Sequence, residues 1–184
     1  MFWTIAAALG QIAGAIATFA AVGVSLWIVI SERREKIKLS VGERAIVGAG
    51  TKIDVIAFQI TNVGHRPVRI NSFGWRVGWL PRGPTWLRYE WAFQTPGNLP
   101  VSDNPPIDVL PGRSASMFIE LDPFLTRASA KDGDLFGPRQ VPLLGRCLPP
   151  IYGCAYTAMG SSYSSKVEIA LARQLAASSA TRQS

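Results

Sequence analysis

Lys52-Ile53-Asp54-Val55-Ile56-Ala57-Phe58-Gln59-Ile60-Thr61-Asn62-Val63-Gly64-His65-Arg66-Pro67-Val68-Arg69-Ile70 is the stretch that decides the fold of the polar part of this chain. Polar and apolar residues alternate as far as Thr61, the period of a half-buried strand. Asn62 to Pro67 is a turn cluster, in which glycine supplies positive φ and proline ends backbone pairing. The strand pattern then resumes through Phe73, Trp75, Val77 and Trp79. The two strands are expected to pair as an antiparallel hairpin, with Val68, Ile70 and Phe73 facing inward.

The same grammar extends in both directions. Residues 36–41 alternate like a strand. Prolines at 81 and 84 break the pattern, and residues 86–93 are rich in side chains that suit a pleated surface. Residues 96–106 read as a long loop. Residues 107–110 and 116–121 are short strands about Pro111-Gly112. Residues 122–150 are irregular, with one helical turn expected at 123–130. Residues 151–157 and 163–167 alternate again about a turn at 159–162. From 166 to 177, Val167, Ala170, Leu171 and Leu175 recur at helical spacing. Residues 178–184 are small and polar, and are expected to be disordered. Many short strands at spacings near ten residues, separated by Gly and Pro, point to an antiparallel sandwich or barrel.

Two local signatures refine this. Phe58-Gln59-Ile60-Thr61-Asn62-Val63-Gly64, followed by Arg66-Pro67-Val68-Arg69-Ile70, resembles a hairpin of bacterial immunoglobulin-like domains. Leu110-Pro111-Gly112-Arg113-Ser114 resembles their turn ahead of an inner strand. The resemblance covers about residues 53–121 and implies an immunoglobulin-like β-sandwich over residues 37–177, closed by the short C-terminal helix. The Cys…Trp…Cys core of antibody domains is absent, because Cys147 and Cys154 both fall in the C-terminal third.

Upstream of the domain the composition changes. Residues 2–31 carry no charge, and Glu32, Arg33, Arg34, Glu35 and Lys36 follow at once. A bilayer core needs about 20 apolar residues in a helix. Trp3 and Trp27 lie near the two ends, where amphipathic rings favour the headgroup region. A cleaved signal peptide would have a basic n-region and a shorter apolar stretch, and neither is present. Residues 1–31 are therefore read as a single transmembrane anchor and 32–36 as a charged juxtamembrane segment. Arg33, Arg34, Lys36, Lys38 and Arg44 after the span place the N-terminus outside and the domain in the cytoplasm. Gly10, Gly14 and Thr18 recur four apart, a spacing that lets two helices pack closely as a homo-oligomer.

The chain has 184 residues, a net charge of +7 and two cysteines. Two cysteines are too few for a disulfide scaffold. The basic residues form no run or stripe, so no nucleic-acid partner is expected; a basic surface near an anionic leaflet is. Ala, Arg, Gly and Pro usage suits a GC-rich bacterial or phage genome.

Catalytic and metal chemistry find little support. His65 is the single histidine, and its neighbours give it the profile of an exposed turn residue. Cys147 and Cys154 are spaced more widely than zinc ligands usually are. Asp132-Gly133-Asp134 lacks the further oxygen ligands of a calcium loop. No catalytic residue, cofactor or metal is expected. The informative feature is aromatic: Trp75, Trp79, Trp86, Tyr89, Trp91 and Phe93 fall within 19 residues. One face of these fills the core. Trp79 and Trp86, beside Arg76, Arg82 and Arg88, are the expected binding patch. The leading expectation is a membrane-anchored binding or scaffolding protein that presents a cytoplasmic β-sandwich to a protein partner. The alternative is an oligomeric, membrane-active phage or bacterial defence or lysis component assembled through its transmembrane helix. A hydrolase or metal enzyme built on His65 and the cysteines ranks third.

Overall fold

A computed structural model describes residues 2–48, 51–97, 99–130, 135–142 and 145–180. It opens with helix α1 (Phe2–Arg33). Its segment Gly10–Glu32, 23 residues, is long and apolar enough to cross a membrane. From Gly10 to Ile30 every residue is exposed, so this part of the helix packs on nothing within the chain. Thr18 and Ser25 hydroxyls donate to the carbonyls of Gly14 and Ala21 at 2.9 and 2.8 Å. Both polar side chains are thereby satisfied within the helix.

The rest is two antiparallel sheets facing one another, with short helices. The first sheet holds β1 (Ile37–Gly48), β2 (Thr51–Asn62) and β6 (Ser114–Glu120), in the order β1-β2-β6. The second holds β3 (Val68–Val77), β4 (Glu90–Gln94), β9 (Ile151–Thr157) and β10 (Ser162–Lys166), ordered β10-β9-β3-β4. To it β5 (Ile107–Val109) adds by pairing with β3. β7 (Arg139–Val141) and β8 (Gly145–Cys147) form a small separate ribbon. α2 (Leu121–Ala130) and α3 (Ile169–Ala180) close the domain.

The core lies between the two sheets. Phe58 of β2 meets Phe73 and Trp75 of β3, with ring centroids 5.4 and 4.9 Å apart. Gly153 of β9 lets the sheets approach, because a Cβ there would collide with Val41 and Phe58. Val68 and Ile70 face inward by alternation. The pairing with β9 shifts register between Ile70 and Ser72, and that irregularity turns Phe73, of opposite parity, inward as well.

The expected hairpin of β2 and β3 does not form. β1 and β6 occupy both edges of β2, so the turn at 62–67 carries the chain across to the second sheet. The turn at 110–113 crosses back from β5 to β6. It is a type II turn: Leu110 O accepts from Arg113 N at 3.0 Å, and Gly112 sits at φ 71°. Asn62 ties the two crossings together. It is fully buried, and its Nδ2 donates to Arg66 O at 2.6 Å and Val109 O at 2.9 Å. Its Oδ1 accepts from Gly64 N at 2.9 Å, an Asx turn.

Several boundaries move. α1 continues through Glu32 and Arg33, beyond the uncharged run that its composition marks as the anchor. The first strand runs on to Gly48 rather than ending at 41. Trp86 and Leu87 lie in a turn, Arg88 makes a lone bridge to Leu80, and only Glu90–Gln94 is strand. The single helical turn at 123–130 is a ten-residue helix that tolerates Pro123 in its first turn. The C-terminal helix begins at Ile169 because Lys166 is still paired with Tyr152 in β10. It also includes residues 178–180, which were expected to be disordered; 181–184 lie outside the described residues.

Candidate functional site

Alternation in β3 sends Phe73, Trp75 and Val77 into the core and leaves Gly74 and Arg76 on the outer face. Register then decides their neighbours. Arg76 lies opposite Trp91 on β4 and Tyr152 on β9, while Gly74 lies opposite Phe93 and Cys154. Side chains distant in sequence thus meet on one sheet surface.

The Arg76 guanidinium lies 4.7 Å from the Tyr89 ring centroid, 4.6 Å from Tyr152 and 5.6 Å from Trp91. Its Nη2 donates to Ser164 Oγ at 3.1 Å, whereas Nε is buried without an acceptor. Three π faces hold this cation in place. Beside it, the Tyr156 ring packs 5.5 Å from Phe93 and 6.4 Å from Trp91. Gly74 makes that possible, since a Cβ there would sit 3.2 Å from the Tyr156 ring and 2.6 Å from Ala92 O. Phe93 is 75% exposed and Trp91 51%. The result is an aromatic surface around one fixed positive charge.

Burial pushes the Tyr156 phenol up to about 12, with Cys154 adding to the rise. Burial also raises the Cys154 thiol, against the lowering influence of Arg76. A thiol held protonated is the opposite of an activated nucleophile. Cys147 and Cys154 are not joined in a disulfide.

At the end of β4 this face borders a cavity of about 320 Å³, with Trp75, Leu99, Phe124 and Phe136 among its lining residues. Trp75 Nε1 donates to Gln94 Oε1 at 2.9 Å, which fixes the indole as a wall. The two phenyl rings each lie 5.5 Å from it. The volume is at the lower end of small-ligand or side-chain pockets.

β4 is also an edge strand. The edge of β6 is closed: Ser102 Oγ accepts from Phe118 N, and Asp103 bonds Ser116 through both its N–H and its carboxylate. Among the described residues, no hydrogen bond reaches the outer edge of β4. Such an edge is a template for an added strand.

Of the residues expected to bind, Arg76 lies within this surface. Trp79 and Trp86 are half-buried and Arg82 is exposed in the turn segment beyond β3. That segment is fastened by Arg139, which donates to Arg88 O at 2.7 Å and pairs with Glu90 at 3.1 Å. The Arg88 side chain is exposed. The structure brings Arg76 together with Tyr89 and Trp91 instead. Tyr152 and Tyr156 went unnoticed in the sequence, although their spacing around Cys154 already places all three on one strand face. His65 is exposed in its turn. Among the described residues no three His, Cys, Asp or Glu side chains cluster as metal ligands. Asp132 and Asp134 lie outside the described residues. In α1, Gly10, Gly14 and Thr18 are all exposed.

No family model matches the chain, and no curated protein matches it. Solved structures similar over part of it include the following two. One is a protein assigned as ApaA from Bordetella pertussis, with 12% identity and a TM-score of 0.30, covering 73% of this chain and 89% of that one. The other is a structural-genomics target with 10% identity and a TM-score of 0.22, covering 73% and 81%. Likeness at this level adds nothing to the fold or the site described above.

Proposed function

We propose that this chain is a membrane-anchored binding protein and that the outer face of its second sheet receives a protein partner. One observation carries the reading: Trp91 and Phe93 stand exposed on an edge strand, beside an arginine held among three aromatic rings. Aromatic and arginine side chains dominate interface hot spots. An extended partner segment paired to β4 would gain main-chain hydrogen bonds from the edge and side-chain contacts from the cavity and the rings. The mechanism is tethering and recognition without turnover. The sandwich is read as immunoglobulin-like on the strength of its two sheet-crossing turns. The basic residues after α1 support a cytoplasmic domain.

A photo-crosslinking residue at 91 or 93, used in intact membranes, tests the reading. A discrete adduct is expected, and it should disappear when Arg76→Ala is added. Adduct formation equal to that from position 47, far from this face, would refute it.

Self-assembly through α1 is a second reading. It is favoured by the four-residue spacing of Gly10, Gly14 and Thr18, all exposed on a helix that packs on nothing within the chain from Gly10 to Ile30.

A further inference from the structure

Only three residues, Arg34, Glu35 and Lys36, separate α1 from β1, and two of them are fastened to the domain. Glu35 O accepts from the Tyr163 hydroxyl at 2.8 Å, and its carboxylate accepts from Thr157 Oγ1 at 2.9 Å. Lys36 O accepts from Val63 N at 3.0 Å. Three residues span at most about 10 Å. The end of the sandwich that carries Asn62 is therefore held within headgroup reach of the bilayer, whatever the tilt of α1.

Three turns meet at that end. The turn at 62–67 lies against Lys36, and the turn at 110–113 bonds to Asn62 through Gly112 N at 2.9 Å. The turn at 158–161 bonds to Arg69 O through Ala158 N at 2.9 Å and follows Thr157, the partner of Glu35. Each exposes one apolar side chain at or beside its tip: Val63 at 54%, Leu110 at 55% and Met159 at 81%. Around them Arg34, Lys36, Arg66 and Arg113 are exposed cations. Among the described residues, none of the four forms an ion pair.

We infer that these three turns form a second membrane contact, in which Val63, Leu110 and Met159 enter the headgroup layer and the four cations meet anionic lipid phosphates. Apolar tips beside basic side chains match an interface that is apolar below and negatively charged at its surface. The contact would fix the orientation of the domain over the bilayer and hold the β4 face at a constant height. It rests on α1 spanning the membrane.

The test uses the full-length chain in lipid nanodiscs on a Cys147→Ser background, since Cys154 is only 1% exposed. An environment-sensitive fluorophore is attached at Val63→Cys, Leu110→Cys or Met159→Cys. Val47→Cys, at the far end of β1, serves as the distant control, and Ala17→Cys, read with lipids spin-labelled along the acyl chain, reports on the span. Quenching by lipids spin-labelled near the headgroup is expected to be several-fold stronger at the three turns than at position 47 in discs containing phosphatidylglycerol. It should weaken in phosphatidylcholine alone and in the Arg66→Glu, Arg113→Glu double variant. Turn positions no more quenched than position 47, with position 17 deeply quenched, would overturn the contact and leave the anchor standing. Quenching indifferent to lipid charge would overturn the assignment to anionic lipid. An unquenched position 17 would remove both the anchor and the contact.

Discussion

Replacing Asn62 by alanine should destabilise the domain by about 3 kcal/mol, as follows from the hydrogen bonds the side chain makes. It is fully buried and makes three of them, to Arg66 O, Val109 O and Gly64 N. A typical intramolecular hydrogen bond contributes about 1 kcal/mol net, and a buried group left unpaired costs about 1–3 kcal/mol. Arg66 and Gly64 belong to a solvent-facing turn, so water replaces part of those two bonds. Val109 is itself buried, and its carbonyl, which points at the Asn62 amide, would lose that partner. Two modest losses and one full desolvation penalty sum to about 3 kcal/mol. That is a large share of the roughly 5–15 kcal/mol that holds a domain folded.

The assay is urea unfolding of the full chain in mild detergent, followed by near-ultraviolet circular dichroism. Asn62→Asp sharpens the test. It keeps the acceptor toward Gly64 but aims a carboxylate at two carbonyl oxygens. Burial and those carbonyls raise its folded pKa above the unfolded value. Stability of the Asp variant should therefore be lowest at neutral pH and recover as pH falls through the folded pKa. A loss below about 1 kcal/mol for alanine, or an aspartate variant as stable as wild type at pH 7, would refute the view that Asn62 holds the two sheet crossings together.

Nearby in sequence but solvent-facing, His65→Ala should change stability by less than about 0.5 kcal/mol in the same unfolding assay. Trp91→Ala and Phe93→Ala should leave the unfolding midpoint nearly unchanged yet weaken partner capture at least about tenfold, as interface hot spots do, measured by titration of the partner once it is crosslinked and identified. Arg44 holds Glu168 by two charge-assisted hydrogen bonds of 2.7 and 3.0 Å, which lower the Glu168 pKa. The pair is about half exposed, so its stabilisation is at most about 1 kcal/mol; it is present above the ordinary glutamate range and lost as pH falls through the depressed folded value. Arg44→Ala should flatten that part of the acid unfolding curve. Gly14→Ile should lower self-association of residues 1–35 in a membrane reporter if α1 packs on itself, and an unchanged signal would remove that reading.

What the sequence made legible was local. Uncharged residues bounded by a basic cluster marked α1, because a long apolar run is visible without any partner. Alternation placed Val68 and Ile70 inward, since a strand's two faces differ by parity, but Phe73 has the opposite parity and faces inward only because the register shifts between Ile70 and Ser72. The Asn62–Pro67 turn was recognised, but its consequence was not. Whether a turn closes a hairpin or crosses between sheets depends on which strands already occupy the edges of β2, and those include β6, more than fifty residues downstream. The candidate site failed to declare itself for the same reason. Arg76 was singled out with Trp79 and Trp86, its neighbours in sequence. Its actual companions arrive from β4 and β9 through register: Trp91 and Tyr152 stand directly opposite it. Arginine was visible as a charge and the tyrosines as strand formers, but the cation–π cluster belongs to the pairing of three strands and to no single segment. Edge status is likewise a property of the whole sheet. Among the described residues no later strand covers the outer edge of β4, whereas two residues, Ser102 and Asp103, close β6. A partner that reads this surface therefore reads the topology, and Arg76→Ala should disrupt the surface while leaving every strand in place.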